Sequence, residues 1–306
     1  MKDELLIKYI PKKKGYRKIV SYNVANQKLR QEHKHINKFI CDETIPSKFA
    51  KAYIKNRSII LNAKMHMYND IFIYMDIKKF FASINHTMMV NLLFKEINKR
   101  KPKIIITKDT CYKIVKSCAI SSKGLAEGVI PSPTLSNIYL KEFDNILYGY
   151  LNKMHLENIR YTRYADDMII SFKDTENYNV VDIVNAVTTL LKRYKLELNK
   201  EKTKIISLNR SNHVRLTGII ISKDSDNNRS LTVGRKRKNE LYNKAISLAK
   251  KNKDIRLQGE INKVKGMQSF ILSVEGIKYE EIYSDKMISI VRELGYEKLK
   301  QLIDNL

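Results

Sequence analysis

The chain has 306 residues, enough for two or three subdomains around a sizeable core. Lys and Arg number 58 against 32 Asp and Glu, a formal charge of +26 spread along the whole length, which favours a polyanion such as nucleic acid over a membrane surface. Three cysteines (Cys41, Cys111, Cys118) with no Cys-x-x-Cys pair argue against a disulfide framework or zinc site and read as buried apolar residues; with no signal-peptide core after Met1 and no membrane-length apolar run, a cytoplasmic chain with no membrane partner is expected.

Tyr9 to Val20 reads as strand, basic turn at Gly15, strand. Arg17 is the best candidate there for gripping a triphosphate, because a guanidinium pairs with phosphate oxygens two at a time; the alternative is a solvated basic loop. Ala25 to Ile40 reads as a polar helix, and Ile45 to Ile59 as a loop into a second helical stretch. Asn62 and His66 lie four apart on that stretch and share a face. The plain alternative is a polar helix face with an ordinary histidine; zinc lacks a companion Cys or His at ligand spacing. Ile71 to Asp76 is an apolar strand that ends in an acid. Of the two aromatics that follow, Phe80 is expected in the core and Phe81 on a pocket wall. His86 to Lys99 is an amphipathic helix with Met89, Val90 and Leu93 inward, Lys99 to Lys103 a basic loop, and Thr107 to Ser122 a helical region.

Ser132-Pro133 predicts a helix start with Ser as N-cap, and Leu135, Ile138, Tyr139, Phe143, Ile146 and Tyr150 continue one helical face, with Glu142 the polar exception. Arg160 to Tyr164 and Met168 to Phe172 are two strands with Asp166 and Asp167 at the tight turn between them. Val180 to Tyr194 is an apolar amphipathic helix. Thr203 to Leu208 is a strand, with Val214 to Ile221 as its hairpin partner and Asp224 to Asn228 as a polar linker. Arg235-Lys-Arg-Lys238 opens a lysine-rich helix through Lys253, and residues from about 229 onward read as a separate helical subdomain. The order predicts an α+β fold with helices packed on one face of an antiparallel sheet.

A strand ending in Asp76 beside an Asp166-Asp167 hairpin puts three carboxylates at one sheet end. Taken alone, two acids in a turn are ordinary. Three mutually repelling acids are tolerated where they share a divalent cation. An oxygen-only set suits Mg²⁺, and two such ions clamp the attacking and leaving oxygens of an in-line phosphoryl transfer.

The whole series, from the Arg17 hairpin through Asp76 and Phe81, Gly124 to Ser132-Pro-Thr-Leu-Ser-Asn137, Tyr164-Ala-Asp-Asp167 and Leu198-Asn-Lys-Glu-Lys-Thr203, resembles bacterial reverse transcriptases over roughly Tyr9 to Ile221. Asn62-Ala63-x-x-His66 and Leu216-Thr217-Gly218 resemble two motifs of the retron type, the second with Leu in place of the family's Val. The family's Leu-Pro-Gln-Gly is Leu125-Ala-Glu-Gly128 here, so the glutamine's binding role is not carried over to Glu127. The resemblance implies a right-hand polymerase fold: fingers over 1–70 and 83–123, palm over 71–82 and 124–228, and a helical, RNA-binding thumb over 229–306. It implies two Mg²⁺ ions on Asp76, Ile77 (through its carbonyl), Asp166 and Asp167, with Arg17, Phe81 and Lys202 around the dNTP. Asn62, His66, Leu216, Thr217 and Gly218 are expected to recognise RNA. The implied partner is a cognate structured non-coding RNA, copied from an internal guanosine 2′-hydroxyl into branched single-stranded DNA, in antiphage defence with an effector protein encoded nearby. The alternatives are a group II intron or diversity-generating reverse transcriptase, and an RNA-binding scaffold for an effector.

Overall fold

The computed structural model describes residues 5–11, 15–25, 27–99, 105–119, 121–174, 178–251 and 257–306. In chain order the elements are β1 (Leu5–Pro11), β2 (Tyr16–Tyr22), α1 (Lys28–Glu43), α2 (Ile59–His66), β3 (Ile71–Asp76), α3 (Phe80–Ser83), α4 (His86–Asn98), α5 (Lys108–Ser117), α6 (Ser132–Tyr139) and α7 (Lys141–Asn152). There follow β4 (Arg160–Tyr164), β5 (Asp167–Phe172), α8 (Val180–Arg193), β6 (Lys204–Ser207), α9 (Leu208–Ser211), β7 (His213–Leu216), β8 (Ile219–Lys223) and β9 (Arg229–Thr232). The chain closes with α10 (Arg235–Ala249), α11 (Gln258–Glu275), α12 (Asp285–Glu293) and α13 (Leu299–Asp304). Contacts divide it into two units, Met1–Ser58 with Asn69–Ser207, and Ile59–Tyr68 with Leu208–Leu306.

The first unit is built on an antiparallel sheet of order β4-β5-β3-β6. β3 is central because Ile71-Phe-Ile-Tyr-Met-Asp76 is apolar on both faces, and every residue but Tyr74 is buried. Alternation along the strands sends Ile71, Ile73 and Met75 of β3, with Met168, Ile170 and Phe172 of β5, to one face. There they pack with α4 (Met89, Leu93, Ile97), α6 and α7 (Leu135, Tyr139, Phe143, Leu147) and α8 (Ile183, Val187, Leu191). β6 is an edge strand carrying exposed Lys204, a charge that discourages further pairing. β1 and β2 form the expected hairpin, from Leu5↔Tyr22 to Pro11↔Tyr16, with Gly15 at φ 78° in its turn.

Several local expectations are corrected. The helix expected from Ser132 to Tyr150 is two, broken at Leu140. The break turns the inward face of α7 to Phe143, Asp144, Leu147 and Leu151, and leaves Ile146 and Tyr150 each 43 % exposed. Ser132 is the first helical residue rather than a bonded N-cap, and its buried hydroxyl has no partner among the described residues. The region from Thr107 to Ser122 is helical only to Ser117, with Thr107 as its cap. Residues 100–103 of the expected basic loop lie outside the described residues. Cys111 and Cys118 are buried as expected, whereas Cys41 is exposed.

The strand at Lys204 pairs with β3, from Ile71↔Ser207 to Tyr74↔Lys204, rather than with the segment from Val214 to Ile221. That segment is itself a hairpin. β7 and β8 close at Leu216↔Ile219 around Thr217 and Gly218, both at positive φ (48° and 95°), the geometry a two-residue hairpin turn requires. Asp224 to Asn228 is the turn of the next hairpin, not a linker: Asp224 Oδ1 accepts from the Asp226 and Asn228 amides at 2.9 and 2.8 Å.

The second unit therefore begins before residue 229. It holds the sheet β7-β8-β9, α2 packed on β7 and β8, and helices α9 to α13. Its core gathers Leu241, Tyr242 and Ala245 of α10, Val264 and Ile271 of α11, Val291 of α12 and Leu299, Leu302 and Ile303 of α13. At the end of α11 the buried Glu275 carboxylate accepts from Lys238 Nζ, the Thr232 hydroxyl and the Val233 amide, each at 2.8 Å, which fastens the strand-to-helix junction. The compact-unit boundaries fall at 58/59, 68/69 and 207/208, with α2 packed on the strands after Leu208 within the second unit.

Candidate active site

Two strands bring the acids together. β3 and β5 pair Asp76 with Asp167, and β4 and β5 close at Tyr164↔Asp167. The turn is therefore Ala165-Asp166 alone; Asp167 already belongs to the strand. Ala165 adopts φ 58°, a left-handed conformation that costs a non-glycine residue about 1–2 kcal/mol. The Ile77 amide donates to the Asp166 carbonyl at 3.1 Å and ties the tip to the residue after Asp76.

The three carboxylates have different surroundings. Asp76 is 5 % exposed. Lys202 Nζ donates to both of its oxygens at 3.0 and 3.1 Å, and Asn199 Nδ2 to one at 3.3 Å. Lys202 lies on a 3₁₀ turn, Lys200–Lys202, that the Asn199 amide fastens to the Asp76 carbonyl at 2.8 Å. Asp167 accepts from the Tyr74 hydroxyl. Burial pushes Asp167 up to about 6, with Asp166 and Asp76 adding repulsion and the Tyr74 bond and Lys202 opposing it. Burial likewise holds Asp166 above the usual carboxylate range, with Asp76 adding to it. Among the described residues no three His, Cys, Asp or Glu side chains converge as a metal cage. In this structure an ammonium partners Asp76 and a phenol partners Asp167. The donor set still fits a hard divalent cation. Asp166 and Asp167 are half-buried carboxylates beside one another, a repulsion that a cation relieves.

Asp76, Ile77 and Asp166 open into a cavity of about 600 Å³, also lined by Arg17, Phe81, Glu127 and Lys202. Six cationic and three anionic side chains line it, a balance suited to a polyanion. Phe80 is buried and Phe81 half-buried, their ring centroids 5.5 Å apart, and both line the cavity, Phe80 from within the core. Gly124 sits at φ 77°, and a Cβ there would lie 2.7 Å from the Ala82 backbone, so only glycine lets this segment pack on the turn that carries Phe81. The Leu125 amide then donates to the Phe81 carbonyl at 2.8 Å. A Cβ on Gly128 would lie 2.0 Å from the Val20 carbonyl, and the Val20 amide donates to the Glu127 carbonyl at 2.7 Å, which fastens β2 to the cavity. The Glu127 carboxylate faces Arg17 Nε at 3.7 Å, with both side chains about half exposed.

The remaining expected residues lie in the second unit. Asn62 and His66 are fully buried, so their shared face is not a solvent face. Asn62 Nδ2 donates to the Thr217 hydroxyl at 3.2 Å. Leu216 is buried, while Thr217 and Gly218 are half-buried at the hairpin tip.

Sequence reasoning missed a buried cluster behind the catalytic turn. Arg163 and Asp144 are fully buried and form a fork, Nε to Oδ1 and Nη2 to Oδ2, each 2.9 Å. The Tyr161 hydroxyl adds a bond to Asp144 at 2.8 Å. The available signal was one charge of each sign interrupting the apolar pattern of two elements that pack together.

Residues 10–228 match the family described as Reverse transcriptase (RNA-dependent DNA polymerase), and the chain belongs to that family. Several of its curated relatives are retron reverse transcriptases. It is 26 % identical to the Retron Ec83 reverse transcriptase of Escherichia coli, over 80 % of this chain and 76 % of that protein. It is 27 % identical to the Retron Ec86 reverse transcriptase of the same organism, over 79 % and 68 %. A solved telomerase from Candida albicans, in complex with a fragment of telomeric RNA, aligns with TM-score 0.50 at 11 % identity over 97 % of this chain and 60 % of that one, a likeness of fold alone. The α+β architecture is thus that of a reverse-transcriptase polymerase, whose chemistry is RNA-directed DNA synthesis and whose family uses divalent metal ions. Among the described residues no helix is long and apolar enough to cross a membrane.

Proposed function

We propose that this reverse transcriptase is a retron enzyme: it copies part of a cognate structured non-coding RNA into single-stranded DNA, starting from an internal guanosine 2′-hydroxyl and leaving DNA branched from RNA. The observation that carries the polymerase chemistry is one cavity lined by Asp76, Asp166, Arg17, Lys202 and Phe81. The retron relatives carry the choice of template and primer.

Asp76 and Asp166, with the Ile77 carbonyl, would hold two Mg²⁺ ions, and Asp167, bonded to Tyr74, would add a further carboxylate. The metal, when bound, lowers the pKa of the attacking hydroxyl and neutralises phosphate charge. Arg17 pairs with the triphosphate at the cavity mouth. Lys202 reaches the same cavity from Asp76 and serves the leaving pyrophosphate. Phe81 presents its ring where a ribose 2′-hydroxyl would fall, so deoxyribose is preferred. Asn62, bonded to Thr217, and His66 on the same helix act from beneath by supporting the Leu216–Gly218 hairpin, whose half-buried tip meets the RNA. The basic helical part of the second unit grips the RNA backbone.

Extension of a DNA primer on an RNA template tests the polymerase half. Wild-type protein with dNTP and Mg²⁺ is expected to extend the primer and to stop in chelator; a preparation that binds RNA and extends nothing would favour the scaffold reading. The antiphage role is tested by plating phage on cells carrying the native locus with and without Asp166→Asn, with protection expected only for the intact enzyme.

A further inference from the structure

We infer that Arg163 is a positioning residue for the metal-holding turn, and that Asn137 extends its hold to the loop at residues 49–52. The inference rests on the reading of Asp166 as a metal ligand. Arg163 Nη1 donates to the Ala165 carbonyl at 3.1 Å and to Asn137 Oδ1 at 3.2 Å, while Nε and Nη2 hold Asp144. Asn137 Nδ2 passes the connection on to the Ala52 carbonyl at 3.0 Å. The Arg163 backbone joins the same loop, with its amide on the Phe49 carbonyl at 2.9 Å and its carbonyl taking the Lys51 amide at 2.7 Å.

Both peptides of the turn are thereby fixed. Arg163 takes the Ala165 carbonyl from inside the core, and the Ile77 amide takes the Asp166 carbonyl at 3.1 Å. Ala165 is the strained residue, at φ 58°, and its carbonyl is the group whose rotation would swing Asp166 away from Asp76. A buried Arg–Asp pair adds little net stability over an apolar core of the same volume, because desolvation offsets the attraction. Its distinctive property is direction: a planar guanidinium presents several N–H groups at fixed angles, which an ammonium does not. Asp144 sets the plane, Asn137 takes one Nη1 hydrogen, and the other Nη1 hydrogen aims at the turn.

Arg163→Lys keeps a buried cation beside Asp144 and removes the fork. Mn²⁺ is titrated onto the purified full chain without nucleotide and followed by electron paramagnetic resonance, alongside thermal melting, kcat and KM for dNTP. Arg163→Lys is expected to weaken Mn²⁺ binding and lower kcat by about tenfold or more, the usual effect of losing a partner behind a metal ligand. KM for dNTP is expected to stay within about twofold, since Arg17 and Phe81 are untouched. Asn137→Ala, which leaves the Arg163–Asp144 fork in place, is expected to show the same pattern at about threefold, on the scale of one lost hydrogen bond. A folded Arg163→Lys protein that binds Mn²⁺ as wild type overturns the inference, whatever its melting temperature. If Arg163→Lys does not fold, unchanged Mn²⁺ binding in Asn137→Ala overturns it. Wild-type protein that binds no Mn²⁺ is a separate outcome, which removes the metal reading and the inference with it.

Discussion

Two hairpins of this chain end in two-residue turns, and they use the same backbone device for opposite purposes. At Ala165-Asp166 the left-handed residue is an alanine, the neighbours are half-buried acids, and a buried arginine holds the turn from behind. At Thr217-Gly218 both residues take positive φ, no acid adjoins the turn, and a buried asparagine amide holds the threonine hydroxyl. The first turn concentrates repulsion that a cation relieves; the second presents a shape on a firm base. The proposed function assigns reaction chemistry to the first and recognition to the second, so damage to each is expected to have a distinct signature.

The sharpest way to break the comparison is Asp166→Asn. Extension on a generic primer–template is expected to fall by roughly a thousandfold or more, as for removal of a group acting directly on the reacting atoms, with cognate RNA binding unchanged. Near wild-type extension would remove Asp166 from the chemistry. At the other hairpin, Asn62→Ala strands the Thr217 hydroxyl and loosens the tip. Affinity for cognate RNA is expected to fall by about tenfold, the scale of one lost buried hydrogen bond, while generic extension holds. Equal loss of both activities would mean that the residue only supports the fold.

Smaller effects sharpen the first turn's surroundings. Phe81→Ala is expected to raise the ribonucleotide share of product by about tenfold, since relief of a steric clash is worth 1–3 kcal/mol; an unchanged share in primer-extension products would remove Phe81 as the sugar gate. Glu127→Gln tests an anion in the cavity. The Arg17–Glu127 pair, at 3.7 Å and half exposed, is worth about 0–1 kcal/mol. Repulsion between a carboxylate and a multiply charged triphosphate a few ångströms away exceeds that, at ~1 kcal/mol per unit charge even in water-like surroundings. KM for dNTP is therefore expected to fall by a few-fold with kcat unchanged, and a rise would show that Glu127 orients Arg17 instead. The smallest effect is in pH. Asp167 is raised to about 6 in the folded chain from an ordinary 3.8. The folded state therefore holds this proton where the unfolded state has lost it, and stability falls as pH rises from about 4 through 6. In chelator, urea midpoints of wild type and Asp167→Asn should diverge over that window, the variant gaining with rising pH; a constant difference would contradict the assignment.

Much of the first turn was legible in the sequence. Alternation and β-branched runs mark β3, β4 and β5, and acids at strand ends are visible as letters, so Asp76, Asp166 and Asp167 could be placed at one sheet end. The burial of Phe80 followed from the same strand end, whereas its place on the cavity wall beside Phe81 did not. What was hidden is set by distant partners. Lys204 to Ser207 reads as a strand from either side, and only packing chooses β3 over the segment after Leu208. The bend at Leu140 carries no Gly or Pro, so a continuous apolar face was extrapolated through it. Arg163 and Asp144 look like solvent charges until two elements close over them. Asn62 and His66 look like a polar surface for the same reason. The second turn was hidden by its own hydrophobicity, since Thr217-Gly218 interrupts a run that otherwise reads as one strand.

The nucleic acid bound to the protein purified from its native locus tests the central claim most directly. It is treated with ribonuclease and then with a debranching enzyme, and the DNA is sequenced. A discrete single-stranded DNA whose mobility changes on debranching is the predicted result, and it identifies the template RNA and its branching guanosine. Linear DNA copied from many templates, or RNA alone even after dNTP and Mg²⁺ are supplied, would contradict it.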